Sequence, residues 1–229
     1  MPTRRKRPTA ASTPPAIIRP IDASRLKTYP LQRRHSKVQV SNFAKVWTKG
    51  RSFARFLDSL PDILAVKTLR EVAQAIAKAH RNGRPVIVGM GAHVVKVGLG
   101  PLLVDLMERG IVTALAMNGA VIIHDFELAF MGHTSEEVDA EIDSGRFGMA
   151  EETGRMLNEA ITLGMKEGQG LGESLGSYIH RRKQLFPHRA TSLLATGFRL
   201  GLPVTVHVAV GTDIIHMHPS ADGAAIGAG

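Results

Sequence analysis

Histidine and aspartate side chains follow two apolar segments of the chain, and these residue types can do chemistry. His124 and Asp125 come directly after one such segment. A His-Asp pair at this place can act as a general base, a metal ligand or a substrate clamp. It can equally cap the helix that follows or bond to loop backbone. The residues alone leave these alternatives open.

A second group of polar side chains lies in the segment VHVAVGTDIIHMHP. Together with His124 and Asp125, its members include the ligands that zinc or iron use in proteins. No H-E-x-x-H or comparable spacing accompanies them, so the sequence favours binding of a ligand through polar contacts over binding of a metal. The group comprises His207, Asp213, His216 and His218.

A glycine-rich segment, GMGAHVVKVGLG, follows a predicted strand and has glycines at positions 89, 91, 98 and 100. Small residues in such a place let backbone N–H groups approach a phosphate at the start of a helix. The spacing is not the G-x-G-x-x-G pattern of dinucleotide-binding loops. On its own, the segment therefore predicts a tight turn rather than a phosphate site.

These candidate residues need elements that hold them in place, and the apolar pattern supplies three strands. The segments 85–90, 111–117 and 203–210 are short and continuously apolar, which is typical of buried strands. A capping box formed by Thr68 and Glu71 predicts the start of a helix over 69–79. Further helices are predicted over 43–60, 101–109 (opened by Pro101), 122–131, 149–165, 171–181 and 190–200.

Continuously apolar strands separated by helices predict an α/β fold. We expect a Rossmann-like, doubly wound and mainly parallel sheet with helices on both faces. Sheets of this kind bind ligands at the carboxyl ends of their strands. The segments 91–98, 118–125 and 211–219 follow these ends, so they are the predicted site loops.

The positive charge of the chain is confined to its first part. The 229 residues have a net charge of +9, and residues 1–37 hold ten Lys or Arg against a single acid, Asp22. The rest of the chain is therefore neutral, and nucleic acid is an unlikely partner for it. Residues 1–16 combine Pro, Ser, Thr and Arg without apolar periodicity, which predicts a disordered basic tail ahead of one domain over 17–229.

The chain contains no cysteine, which excludes a thiolate metal site and a cysteine nucleophile. It fits a reducing compartment. The longest charge-free apolar run, about residues 110–123, is shorter than the roughly 20 residues that a membrane span needs. We therefore expect a cytoplasmic protein without a membrane span.

The three predicted site loops, in their order, resemble those of the deoxyhypusine synthase family. GMGAHVVKVGLGPLLVDLMERGIVTALAMNGAVIIHDFELAF is similar to that family's strand–loop–helix–strand segment. VQVSNFAKVW resembles its Q-x-[ST]-N-F stretch, and LGLPVTVHVAVGTD resembles its strand ending in a Thr-Asp turn. The resemblance covers the chain from about Ile17 onward.

This resemblance implies an NAD-dependent transferase with a Rossmann-like fold. Such an enzyme transfers the aminobutyl group of spermidine to a protein lysine or to a polyamine acceptor, and it works as a homotetramer. The polyamine contacts would fall near His124, Asp125 and His218. The resemblance places the NAD contacts at Ala92, His93, Val94, Val95, Lys96, Asn118, Gly119, Ala120 and Asp213.

The sequence departs from the family at two points. Ile123 and His124 stand where the family has an acidic pair, and a histidine does not supply a carboxylate's negative charge. The family's lysine nucleophile would come after the last residue, Gly229, so we expect a fragment or an inactive homologue. The alternatives are a non-catalytic NAD- or metabolite-binding protein on the same scaffold and a metal-dependent hydrolase that uses the His and Asp residues.

Overall fold

The computed structural model describes residues 21–229, so the predicted tail over 1–16 lies outside the described part. The chain forms two compact units, of which the first ends at Ile63 and the second runs from Leu64 to Gly229. The boundary thus falls inside the domain that we predicted over 17–229. Among the described residues, no helix is long and apolar enough to cross a membrane.

Over residues 21–63, the first unit contains short 3-10 turns and one α-helix. The helix predicted over 43–60 is wrong in extent, because α1 covers only Phe53–Ser59. Gly50 interrupts the predicted helix with a left-handed φ of 86°. Trp47 packs edge-on against Phe56 at 5.6 Å between ring centroids. These two apolar residues, which the helical spacing predicts on one face of a single helix, therefore contact each other across a turn. The turns are Ala23–Arg25, Leu31–Arg33 and Val40–Asn42.

The second unit is an α/β structure built around a three-stranded, all-parallel sheet. The strands β1 (Ile87–Met90), β2 (Ala114–Asn118) and β3 (Val204–His207) lie in the order β1-β2-β3. The register pairs Met90 with Met117 and Asn118 with His207. All three strands therefore end at the same edge of the sheet, which confirms the predicted α/β class and brings the three predicted loops to one side.

Helices connect these strands, and some of them cover one face of the sheet. Two of them, α2 (Leu64–Arg81) and α4 (Gly100–Glu108), precede β1 and β2. The others are α3 (His93–Lys96), α5 (Gly119–Met131), α6 (Val138–Glu141), α7 (Glu151–Lys166), α8 (Leu171–Arg181), α9 (Leu193–Leu200) and α10 (Gly223–Ala228), with 3-10 turns at Arg189–Thr191 and Ile214–Met217.

Only one face of the sheet is well buried. Leu115 and Met117 of β2 are 1% exposed, and the alternate residues of β1 and β3 point the same way. On the opposite face Ile87 is 65% exposed and Thr205 is also exposed. We expected continuous burial on both faces, but the helices α5, α8 and α9 all pack against the same sheet and leave the other side open.

Helix α5 is the centre of the hydrophobic core. Phe126 is fully buried and packs edge-on against Phe186 at 5.3 Å between ring centroids. Burying a side chain of this size stabilises the fold by about 1.5–3 kcal/mol. The packing fixes the rotation of α5 about its axis, and so it fixes where the neighbouring His124 and Asp125 point.

Two element boundaries differ from prediction in ways that matter for the site. α2 begins at Leu64, and the Thr68 hydroxyl donates to the Leu64 carbonyl at 3.3 Å, so Thr68 lies within the helix and is not its N-cap. α5 begins at Gly119 directly after β2 ends at Asn118. The predicted loop over 118–125 is therefore mostly the first two turns of a helix.

Candidate functional site

The carboxyl edge of the sheet brings Asp213 against the start of α5. Asp213 comes just before the 3-10 turn Ile214–Met217, and its carboxylate packs against Gly119. A β-carbon on residue 119 would stand 2.5 Å from the Asp213 carboxyl carbon, which real β-carbons do not tolerate. The structure thus joins two predicted cofactor residues that are 94 positions apart, and it explains why residue 119 is a glycine.

The first strand contributes to the same edge. A β-carbon built on Gly91, just after β1, would lie 3.6 Å from Nδ2 of Asn118, at the end of β2. Both residues are exposed. The side-chain amide of Asn118 makes no capping bond to α5. Gly91, Asn118 and Asp213 therefore form a polar edge, in which Gly91 and Asn118 are exposed and Asp213 is half-buried. Gly119 is buried against Asp213 at the same edge.

The charge of Asp213 is set by its surroundings. Partial burial raises the pKa of Asp213 above its ordinary value, and the nearby His216 imidazole partly opposes this rise. Nδ1 of His216 accepts a hydrogen bond from the Gly211 amide at 3.0 Å, which ties the two ends of the loop together. Asp213 is thus held in a defined loop, with a pKa that makes its carboxylate easier to protonate than an ordinary one.

Part of the predicted first NAD loop is buried and therefore not accessible to a ligand. Residues 93–96 form the short helix α3, which packs against α5. Ala92 and Val95 point into the core, and Val94 is half-buried. Only His93 and Lys96 of the five predicted residues are exposed, so they alone can present side chains to a ligand.

His124 belongs to a hydrogen-bonded array that sequence reasoning missed. Its Nδ1 lies 2.7 Å from the Thr134 hydroxyl, which donates to the Glu127 carboxylate. Thr153 of α7 donates to the other oxygen of Glu127 at 3.0 Å. The spacing of three residues between His124 and Glu127 on a helix was the available signal, because such residues share a face.

Burial is the largest influence on His124, and it lowers the pKa of the imidazole. The Glu127 carboxylate opposes this, while Lys96 and His93 lower the pKa further. The ring is therefore neutral near pH 7. His124 is close enough to α3 to feel both of its basic side chains, so the structure gathers three predicted site residues, His93, Lys96 and His124.

Asp125 has a structural role that its sequence position did not reveal. It is 1% exposed, and its carboxylate accepts bonds from the Ser192 hydroxyl at 2.6 Å and from the Leu193 and Leu194 amides at 2.8 and 3.3 Å. These donors form the N-terminus of α9. Of the alternatives open from sequence, capping is the one that the contacts support, although the capped helix is α9 and not α5, in which Asp125 itself lies.

His218 contacts α7. Its Nε2 lies 3.3 Å from Glu151 Oε2, and its Nδ1 lies 2.7 Å from the Ser220 hydroxyl. The ring rests on Gly154, where a β-carbon would collide with it. Both ring nitrogens therefore already have partners, which leaves His218 weakly suited to the substrate contact that we expected.

The described residues contain no group of three or more His, Asp or Glu side chains that could hold a metal ion. His207 illustrates why: its Nε2 bonds to the Thr205 hydroxyl at 2.9 Å on the open face of β3. The histidines near the carboxyl edge thus bond to separate partners. A metal-dependent hydrolase has no ligand set in this part of the chain.

A cleft of about 670 Å³ runs along the free edge of β3. Val204, Thr205 and His207 line one side, and the N-terminal turn of α8 lines the other. Gly119 and Asp213 are not among its lining residues. The cleft is therefore separate from the polar edge, and its size does not bear on what that edge binds.

The fold and the polar edge together define an α/β protein with a candidate ligand site at the carboxyl ends of its parallel strands. No protein-family model matches the chain, and no curated protein matches it. The function therefore has to be argued from the geometry of these residues and from the resemblance of its segments.

Proposed function

We propose that this chain binds NAD at the carboxyl edge of its sheet, on a scaffold like that of deoxyhypusine synthase. The observation that carries the proposal is the placement of the Asp213 carboxylate on Gly119 at the start of α5. A carboxylate at this edge is suited to accept bonds from the two hydroxyls of a ribose. The resemblance of the three site loops to that family supports the same cofactor.

The residues at the edge fit a dinucleotide. Gly91 has no side chain that would block an approaching ligand, and Asn118 offers an exposed amide. A partly buried carboxylate makes stronger hydrogen bonds than a fully solvated one. NAD would supply an oxidant at this edge, while Asp213 and Asn118 would bind and orient it.

The finer fold that we propose is the Rossmann-like, doubly wound sheet. Its support is that all three strands run parallel and that helices, α4 and α5–α9, connect them. Exposed Ile87 marks a second sheet face that a doubly wound fold would cover with further helices.

A homotetramer is the assembly that the resemblance implies, and we keep it as a proposal. Apolar residues at helical spacing on α2, Leu69 and Val72, are 58% and 51% exposed. An exposed apolar stripe of this kind is consistent with self-association. Sedimentation velocity tests it: a single species at the monomer mass would contradict the tetramer.

The reaction implied by the resemblance is NAD-dependent aminobutyl transfer from spermidine. The surroundings of His124 favour the second candidate, a protein that binds NAD or another metabolite without polyamine chemistry. His124 is neutral near pH 7, and the basic residues Lys96 and His93 stand beside it. The positive charge of Lys96 repels a polycation, and both oxygens of the Glu127 carboxylate are already bonded to threonine hydroxyls, so this part of the site does not favour spermidine.

Equilibrium dialysis of the whole chain separates these two candidates. We expect the protein to retain NAD and to leave spermidine evenly distributed, with and without NAD present. Retention of spermidine in the presence of NAD would support aminobutyl transfer over simple cofactor binding. Failure to retain NAD would contradict the proposed function itself.

A further inference from the structure

The array around His124 fixes the direction of its hydrogen bonds. Glu127 as a carboxylate can only accept, so the hydroxyl proton of Thr134 points to Glu127. The oxygen of Thr134 is then left to accept from His124, and the atom 2.7 Å away is Nδ1. The neutral ring therefore carries its proton on Nδ1 and a lone pair on Nε2.

Glu127 is itself held in place from a third element. The Thr153 hydroxyl, on α7, donates to Oε1 of Glu127 at 3.0 Å, and Thr153 is 6% exposed. Both oxygens of the carboxylate are thus occupied by hydroxyl donors. The series of hydrogen bonds from Thr153 through Glu127 and Thr134 to His124 links α7, α5 and the loop after α5. It ends at the His124 ring, whose Nε2 is free to accept a hydrogen bond.

Among residues 21–229, none hydrogen-bonds Nε2 of His124, and this atom is not sealed in the core. The charged or titratable groups that face the ring are Glu127 on its own helix and His93 and Lys96 on α3. The ring is held as an oriented acceptor beside two basic side chains.

We propose that Nε2 of His124 is a proton-accepting contact for a ligand that presents a neutral hydrogen-bond donor, a hydroxyl or an uncharged amine. Thr134 and Glu127 are positioning residues for this contact, because they select the tautomer without touching the ligand. The positive charge of Lys96 disfavours an ammonium in the same place. The inference stands on the array alone and does not require NAD.

The tautomer is tested by long-range ¹H–¹⁵N NMR on the whole labelled chain. His124 is assigned among the ten histidines by the signal lost in His124→Gln. We expect the Nδ1–H tautomer near neutral pH in the wild type and in Thr134→Ser, which keeps the hydroxyl. We expect a shift towards the Nε2–H tautomer in Thr134→Val.

A second threonine provides the matched control. The Thr191 hydroxyl donates to the His188 carbonyl at 2.9 Å and does not belong to the array, so Thr191→Val should leave the His124 signal unchanged. An Nε2–H tautomer in the wild type would overturn the proposal. An unchanged tautomer in Thr134→Val would overturn the positioning role of Thr134.

The class of ligand is tested with two matched probes, 1,3-propanediol and 1,3-diaminopropane, added to the labelled chain near neutral pH. The first offers hydroxyls and the second offers ammonium groups on the same carbon chain. We expect the diol to shift the His124 Nε2 resonance and the diamine to leave it in place. A response to the diamine alone, or to neither probe at high concentration, would overturn the neutral-donor assignment.

Reaction with diethyl pyrocarbonate tests access to the lone pair. This reagent acylates unprotonated, accessible imidazole nitrogens, and peptide mass mapping locates the product. His80 is the internal reference, because its Nδ1 bonds to the Gly110 carbonyl and its side chain is exposed. We expect His124 to react in the wild type and several-fold more slowly in Thr134→Val. Modified His80 with unmodified His124 would overturn the proposal.

Discussion

The carboxylate of Asp213 packs against Gly119 and occupies the position that a side chain on residue 119 would take, at the point where β2 passes into α5. A β-carbon on residue 119 would come 2.9 Å from one carboxylate oxygen and closer still to the other. The small residue at 119 therefore makes room for an acid of the same chain. The resemblance places an NAD contact at Gly119, and in the structure the immediate neighbour of this residue is the Asp213 carboxylate.

Gly119→Ala should disturb the site more than its size suggests. The new methyl group would push the Asp213 carboxylate off α5, so we expect weaker NAD binding and a loss of about 1–3 kcal/mol in the free energy of unfolding. Calorimetric titration and urea denaturation measure the two effects. Gly227→Ala is the control, because a β-carbon there meets nothing within 4 Å. Equal NAD affinity in both variants would show that Gly119 does not belong to the NAD site.

Asp125→Ala should destabilise the fold by about 3 kcal/mol, because three buried donors at the start of α9 would lose their acceptor. Ser192→Ala is the comparison: it removes one bond to Asp125 and the cap of the Ala195 amide at 3.0 Å but leaves both amide bonds to Asp125, so its loss should be smaller, about 2 kcal/mol. Urea denaturation gives both values. A smaller loss for Asp125→Ala than for Ser192→Ala would contradict the capping role of the carboxylate.

Burial also makes Asp125 a source of pH-dependent stability. Desolvation raises the pKa of Asp125 from 3.8 to about 6, against the opposing bonds from Ser192, Leu193 and Leu194. Between these two values the folded chain holds a proton that the unfolded chain has released. Stability should therefore fall as the pH rises from about 4 to about 6, by up to about 3 kcal/mol, and then level off.

Asp125→Asn isolates this contribution, because the amide cannot titrate in this range. We expect the difference in unfolding free energy between the wild type and Asp125→Asn to change across the window from pH 4 to pH 6. Denaturant titrations at several pH values measure it. Parallel profiles for the two proteins would show that the folded-state pKa of Asp125 is not raised.

Apolar periodicity was sufficient to predict much of the second unit. The helix predicted over 171–181 coincides with α8, and the three predicted strands contain β1, most of β2 and all of β3. It failed over 43–60, where Gly50 turns the chain and Trp47 reaches Phe56 across that turn. Helical spacing reports which residues are apolar together, but it does not report whether the backbone between them stays helical.

The site was harder to predict because its contacts are long-range. Local sequence marked Gly119 and Asp213 as separate loop residues, and only the fold brings them together. The role of Asp125 was decided by Ser192, which lies 67 positions away. Glu127 was overlooked because a single carboxylate on a helix is ordinarily solvated, and its two threonine donors come from different elements.

The most direct test of the account is a calorimetric titration of the 229-residue chain with NAD, comparing the wild type with Asp213→Asn. The substitution keeps the shape of the side chain and removes its charge. Asp143→Asn, at an exposed position, is the control. We predict saturable binding to the wild type and the control, and affinity at least about tenfold weaker in Asp213→Asn, which corresponds to about 1.4 kcal/mol. Equal affinity in Asp213→Asn, or no binding to the wild type, would contradict NAD binding at this edge of the sheet.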